Sequence, residues 1–421
     1  MVLEHLQRIK SLDFCSTLIM APPFRAEQLG SFLRPPQLLT ARAESDLNTS
    51  YASSLPEDVE RITREAIASV VQKQLSLFIR PITSGEYSRH IFYGGFFETL
   101  QGMEVIPALP IPSGFRTNFP STAVLAQQGI KTRPGVKATG KIRHVKSAYM
   151  EEWNTLKSLL PMEQWKECKL TIPSPTWQHI QLAEGTAYTP SAYTSSADYF
   201  ADLALAFRAE IQALYSAGLR CVQIDDPNLT FFLDSSFLSG CEIDGINPNE
   251  LLDTYIEAHN ACLSYHPKDL HIGIHLCRGN MASSTHVTTG SYEGIAKKIF
   301  TQLDYNTFYL EYDDSERSGG FEPLRHLPVG KNVVLGVVST KVAELEDLDV
   351  LERRVESAAD VIAEAQGRTR VVVLKEALGV SPQCGFASMS VGGGKGMNME
   401  RMWEKLVLVR ELARRIWGNE A

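Results

Sequence analysis

Short apolar, β-branched runs alternate along the chain with longer stretches in which apolar residues recur every three or four positions. The runs lie at 75–82 (LSLFIRPI), 168–172 (CKLTI), 220–224 (RCVQI), 271–276 (HIGIHL), 307–310 (TFYL), 333–338 (VVLGVV) and 370–374 (RVVVL). Continuous apolar character over so few residues predicts strands buried on both faces. After Leu345 the apolar positions are Leu348, Leu351, Val355, Ala358 and Ile362; in the last stretch they are Met399, Met402, Leu406, Val409, Leu412 and Ile416. That spacing lays a single apolar stripe along a helix. Helices are also expected at 56–74, 195–217, 248–265 and 292–303.

Apolar strands alternating with amphipathic helices predict a parallel α/β sheet covered by helices. Seven runs plus an early one near Gly30 make eight, the number that closes a (β/α)8 TIM barrel. No repeat, heptad or Ser/Gly linker marks a second domain, so 1–421 reads as a single barrel with an N-terminal extension. The interval 104–144, rich in Pro and Gly, breaks the rhythm and reads as an inserted hairpin or loop excursion.

Composition narrows the function. Of 421 residues, 44% are hydrophobic and 21% charged, with 41 Lys plus Arg against 49 Asp plus Glu. The net charge of −8 and the lack of a basic cluster argue against a nucleic-acid partner. No apolar run reaches the roughly 18 residues of a membrane span. The first residues, MVLEHLQRIKSLDFC, carry acids at Glu4 and Asp13 and make a poor signal peptide. Seven cysteines without pairing spacing point to a reducing, cytoplasmic compartment.

In a barrel, reactive groups collect at the C-terminal ends of the strands. His275 and Cys277 lie two apart on one strand and point to the same side. An imidazole and a thiol so placed suit zinc, but the pair alone is a weak signal and Cys277 otherwise reads as a small buried core residue. Glu311 follows the apolar TFYL, so it is either paired, metal-bound or at a rim. Cys384 sits in a Pro/Gly turn after the last run. Together the four make a set of two thiols, an imidazole and a carboxylate drawn from three strand ends.

Several blocks carry a family resemblance: LGSF at 29–32, TSGE at 83–86, IPSP at 172–175, QIDDP at 223–227, HLCRGN at 275–280, LEYDD at 310–314 and SPQCGF at 381–386. Their order and spacing resemble the cobalamin-independent methionine synthase family, in particular its single-barrel, catalytic-half members. The resemblance runs from Phe24 to the terminal RRIWG. It implies a zinc-dependent methyltransferase that moves a methyl group from a donor, such as 5-methyltetrahydrofolate, to the thiol of homocysteine, giving methionine.

The same resemblance assigns His275, Cys277, Glu311 and Cys384 to a catalytic Zn2+. It places Leu29 and Ser31 against the substrate carboxylate, and Glu86 and Asp225 against its amino group. Where the family has Glu after that Asp, this chain has Asp226. The residue-level alternative makes all three acids rim carboxylates. Where the long enzymes carry an Asp-x-His, with the His as proton donor, this chain reads Ser339-Thr340-Lys341. Two readings of Lys341 stand: a catalytic acid, or a surface lysine at a helix entrance.

Three rivals remain on sequence grounds. One is a zinc alkyltransferase acting on another thiol such as coenzyme M, which lacks the amine that Glu86 and Asp225 would bind. Another is a uroporphyrinogen decarboxylase-like enzyme, whose polycarboxylate substrate an acidic mouth would repel. The third is a non-catalytic zinc-binding homologue. SVGGGKGMN at 390–398 is not a P-loop, because Gly396 stands where Ser or Thr is needed, and it reads as a flexible loop.

Overall fold

The computed structural model describes residues 22–47, 55–280, 287–390 and 392–418. Most of the expected N-terminal extension, with Cys15, lies outside them. Strands β1 (Gln101–Pro110) and β2 (Thr132–Arg143) pair antiparallel. They span the interval where the rhythm broke, with β1 beginning three residues before it. Strands β3 (Leu170–Pro173), β4 (Cys221–Asp226), β5 (His271–Leu276), β6 (Thr307–Glu311), β7 (Asn332–Val338) and β8 (Leu378–Pro382) form one parallel sheet in that order. Nearly every residue of the six is buried, as parallel strands between a packed interior and a helix layer must be.

The helices form where the apolar stripe and the caps agree. In Leu348–Gln366 the stripe Leu351, Val355, Ala358 and Ile362 is buried. The Asp347 side chain accepts from the Asp349 and Val350 amides, and Gly367 ends the helix in the left-handed region at φ 62°. Helices Ser196–Ser216, Pro248–Leu263 and Met399–Trp417 likewise occupy the expected stretches. No described helix is long and apolar enough to cross a membrane.

Two strand expectations are corrected. The run 370–374 is part of a helix, Arg370–Ala377, capped by Thr369, and Val371 is 72% exposed. The sheet position it was expected to fill is taken by β8, LGVSP, whose five residues are all buried. The run 75–82 is not a strand either. Helix Glu57–Ser76 continues into it, Phe78 is exposed with φ 54°, and Ile82 alone bridges Cys168 in parallel. At the other sheet edge Ala26 bridges Val380 in parallel. The sheet of described residues therefore holds six strands, with one bridged segment on each flank, where eight strands were expected.

Those flanking segments meet each other. The Phe32 amide donates to the Gly85 carbonyl at 3.1 Å. The Gln28 side-chain amide donates to the Pro81 carbonyl at 3.0 Å and to Thr83 Oγ1 at 2.9 Å. Beneath them Lys169 and Glu27 form a fully buried ion pair at 2.6 Å, and Lys169 also donates to the Gln28 carbonyl.

The assignment of β7 and of the 370–377 helix has a direct stability consequence. Leu335→Ala, in the buried middle of β7, should cost about 2–5 kcal/mol by denaturant unfolding. Val371→Ala should stay within about 0.5 kcal/mol of the parent, because its side chain is in solvent. A large loss at Val371 would return that run to the core.

Candidate active site

Parallel pairing lines up the strand ends. Asp225 of β4 pairs with His275 of β5, and His275 with Tyr309 of β6. Alternation then puts Glu311, two residues beyond Tyr309, on the same face. Gly273 is needed in this row, because a Cβ there would lie 2.4 Å from the Tyr309 ring.

His275, Cys277, Glu311 and Cys384 converge: one ligand atom from each lies within 4.8 Å of the others. The two sulfurs are 3.5 Å apart. His275 Nδ1 donates to the Tyr309 carbonyl at 3.3 Å, which leaves Nε2 buried without a hydrogen-bond partner. A ring nitrogen fixed by its other nitrogen and left bare is the arrangement of a metal-binding histidine. Glu311 accepts from the Arg278 amide at 2.9 Å and from Arg317 at 2.7 Å. Arg317 also grips Asp313 at 2.5 Å. Cys277 is held through its carbonyl by Thr230 Oγ1 at 2.8 Å.

The electrostatics of this cluster set one thiol and the carboxylate apart. The neighbouring Cys384 sulfur, and then burial, hold the Cys277 thiol well above its ordinary range. Burial also works against the Glu311 carboxylate, but Arg317, His275 and Lys341 outweigh it and hold that group low. A divalent ion would reverse the penalty on Cys277, since coordination removes a thiol's proton. The donor set, two sulfurs with one nitrogen and one oxygen, and the bare Nε2 fit such an ion.

Beside the cluster lies a cavity of about 480 Å³, lined by Leu29, Ser31, Glu86, Asp225, His275, Cys277 and Cys384 among others. Glu86 follows Gly85, and both have positive φ, 59° and 67° respectively. A non-glycine residue there is strained, and such strain gathers at functional sites. Glu86 Oε1 accepts from Thr171 at 2.6 Å, whereas Oε2 is buried without a partner. Burial raises the Glu86 carboxyl to about 7 against the opposing pull of Arg89, and Asp225 pushes it further up. Asp225 is raised too, by burial, and accepts from Gln223 at 2.6 Å. Gly385 packs on Ser31: a Cβ there would fall 2.0 Å from Ser31 Oγ.

The structure separates two residues from this group. Asp226 is not a rim acid. It is fully buried, accepts from the Leu229 amide and pairs with His259 at 3.0 Å. Lys341 is not a surface lysine, being 3% exposed. It is also absent from the cavity lining, and its ammonium donates to the Gly279 carbonyl and to Asn280 Oδ1, both at 2.8 Å.

The cavity has a second, apolar wall that the sequence patterns did not reveal. Phe92, Tyr93 and Trp177 pack together there, Tyr93 and Trp177 at 4.6 Å between ring centres. They come from irregular turns and a five-residue helix, which have no periodicity to read. The hairpin interval adds Leu125, Ile130, Arg133 and Pro134. Arg133 donates to Gln181 at 2.9 Å and lies over the Phe115 ring.

The shifted Glu86 carboxyl has a measurable signature. Its folded value exceeds that of the unfolded chain, so its ionisation costs stability as pH rises from the ordinary carboxyl value towards 7. Glu86→Gln removes that cost. Relative to the parent, the variant should gain roughly 1–3 kcal/mol more at pH 8 than at pH 5 in denaturant unfolding. An equal difference at both pH values would contradict the shift.

Comparison with known proteins places the chain in a family. Residues 185–395 match the family described as the catalytic domain of cobalamin-independent synthase. The uncharacterized proteins YxjG and YxjH of Bacillus subtilis (strain 168) are 33% and 32% identical over 397 residues, covering 94% of this chain and 95% of theirs. The putative vitamin-B12 independent methionine synthase of Listeria monocytogenes is 28% identical, with a TM-score of 0.67 over 95% of this chain and 99% of that one. A B12-independent methionine synthase of Shewanella sp. W3-18-1, solved with selenomethionine, shares the fold at 16% identity and TM-score 0.65, covering 93% of this chain and 97% of its own. With the match over 185–395 and the near-complete alignment to the Bacillus relatives, the chain belongs to the cobalamin-independent methionine synthase family, a family of methyltransferase-type enzymes.

Proposed function

We propose that this chain is a zinc-dependent S-methyltransferase that methylates homocysteine to methionine. The observation that carries the reading is the placement of His275, Cys277 and Cys384 in the same cavity as the buried acids Glu86 and Asp225. A thiol-activating cluster and an ammonium-binding pair, side by side, suit an amino acid with a short thiol side chain. In this reading the scaffold is one barrel spanning the chain. The six strands and the two bridged flanks act as eight staves, supported by the bonds that join residues 28–32 to 81–85.

His275, Cys277, Glu311 and Cys384 would hold the zinc. Zinc bound there supplies the positive charge that brings a thiol to thiolate at neutral pH. Glu86 and Asp225 receive the α-ammonium, which draws both carboxyls towards their ionised forms and pairs the bare Glu86 Oε2. Ser31, at the Gly30 turn, offers its hydroxyl to the carboxylate. The apolar wall of Phe92, Tyr93 and Trp177 excludes water and seats the methyl donor opposite the thiol. The reaction forms an S–CH3 bond and breaks the bond from the methyl carbon to the donor atom, which departs with its electron pair.

The acids favour homocysteine over a thiol without an amine, such as coenzyme M. Methyl transfer assayed across a donor panel of folate mono- and polyglutamates, methylcobalamin and S-methylmethionine should give methionine with at least one donor. Cys384→Ser should lose zinc and activity together. Glu86→Gln and Asp225→Asn should each raise the KM for homocysteine by about 10–100-fold, as expected when a buried charged partner is removed. No methionine from any donor, or a Cys384→Ser variant with full zinc and full rate, would remove the proposal.

A further inference from the structure

Lys341 presents a puzzle that its position resolves. It follows β7 in the segment Ser339-Thr340-Lys341, between the two loops that carry the cluster cysteines. On one side its ammonium donates to the Gly279 carbonyl and Asn280 Oδ1, two and three residues after Cys277. Asn280 in turn donates through Nδ2 to the Gly385 carbonyl at 2.7 Å and to Ser388 Oγ at 3.1 Å. Gly385 is the residue after Cys384. On the other side Thr340 Oγ1 donates to the same Gly385 carbonyl at 3.2 Å, and its amide donates to Gln383 Oε1. The side chains of Lys341, Asn280 and Thr340 therefore bind the Cys277 loop to the Cys384 loop.

The glycine-rich loop that the sequence singled out clamps this arrangement. The Lys395 amide donates to the Lys341 carbonyl at 2.8 Å, and Lys395 bridges Val342 in parallel. Gly394 lies directly on the 340–341 backbone, where a Cβ would meet the Thr340 carbonyl oxygen at 2.2 Å. A glycine at this position allows one stretch of backbone to rest on another.

We propose that Lys341 is a positioning residue and not the proton donor: through Asn280 it staples the two sulfur-bearing loops together and holds Cys277 and Cys384 at the separation a shared cation needs. The proposal rests on the metal reading of the cluster. A staple of this kind acts on metal affinity, because both sulfurs must be presented at once. Partners that orient metal ligands contribute about 10–100-fold to affinity. An acid at the same position would act on turnover and leave the metal in place.

Zinc retention measured by chelator competition on the full chain separates these roles. Lys341→Met and Asn280→Ala should each weaken zinc binding by about 10–100-fold. The double variant should be no weaker than the worse single one, because both substitutions cut the same link. Should Lys341→Met fail to fold, Lys341→Gln, too short to span the same gap, takes its place with the same loss expected. Wild-type zinc affinity in both variants, with turnover lost only in Lys341→Met, would overturn the staple and restore the acid. Fully additive losses would overturn it as well. A wild-type chain that takes up no zinc in the same competition would overturn the metal reading itself, an outcome distinct from either of these.

Discussion

Two sulfurs 3.5 Å apart, a bare imidazole nitrogen and a carboxylate share one buried spot at the C-terminal end of the sheet. Groups that become anionic cannot crowd there without a counter-charge, since each disfavours ionisation of the others. Most of the surrounding architecture answers that constraint. Arg317 and the Arg278 amide hold both Glu311 oxygens, and the Tyr309 carbonyl fixes the imidazole. Lys341 adds a positive charge close enough to help hold Glu311 ionised. The two sulfurs, 3.5 Å apart, are then the donors that a divalent cation would engage beside the imidazole.

The sheet makes this crowding possible at low conformational cost. Residues 275 and 384 are more than a hundred positions apart, yet parallel strands all end on the same side, so their following loops become neighbours. Close packing then depends on missing side chains. Gly273 makes room for Tyr309, and Gly385 lets the Cys384 turn rest on Ser31. The buried Lys169–Glu27 pair, with its bond to the Gln28 carbonyl, anchors the segment that brings Leu29 and Ser31 to the cavity.

The cavity is chemically divided. Its floor carries sulfur, imidazole and two acids, and its wall carries aromatic rings and the β1–β2 interval. The two kinds of surface face one space of about 480 Å³. Arg133, tied to Gln181 and lying over Phe115, sits where the inserted interval meets that wall.

Much of this was legible in the chain. Local period located the helices, because a stripe such as Leu351, Val355, Ala358 and Ile362 has one stable use. Strand spacing paired His275 with Cys277, and the density of Pro and Gly marked the hairpin. Local pattern failed where two structures suit the same residues. RVVVL at 370–374 would serve as a strand, but LGVSP took the place in the sheet, and competition for a neighbour is not written in either segment. The aromatic wall and the Lys341–Asn280 link were invisible for a related reason: they join irregular segments whose only order is spatial. The amino-acid order by itself determined which side chains are available and which face of each element they occupy. Folding alone decided which loops touch, because that depends on how strands are ordered in the sheet and on which gaps their neighbours leave.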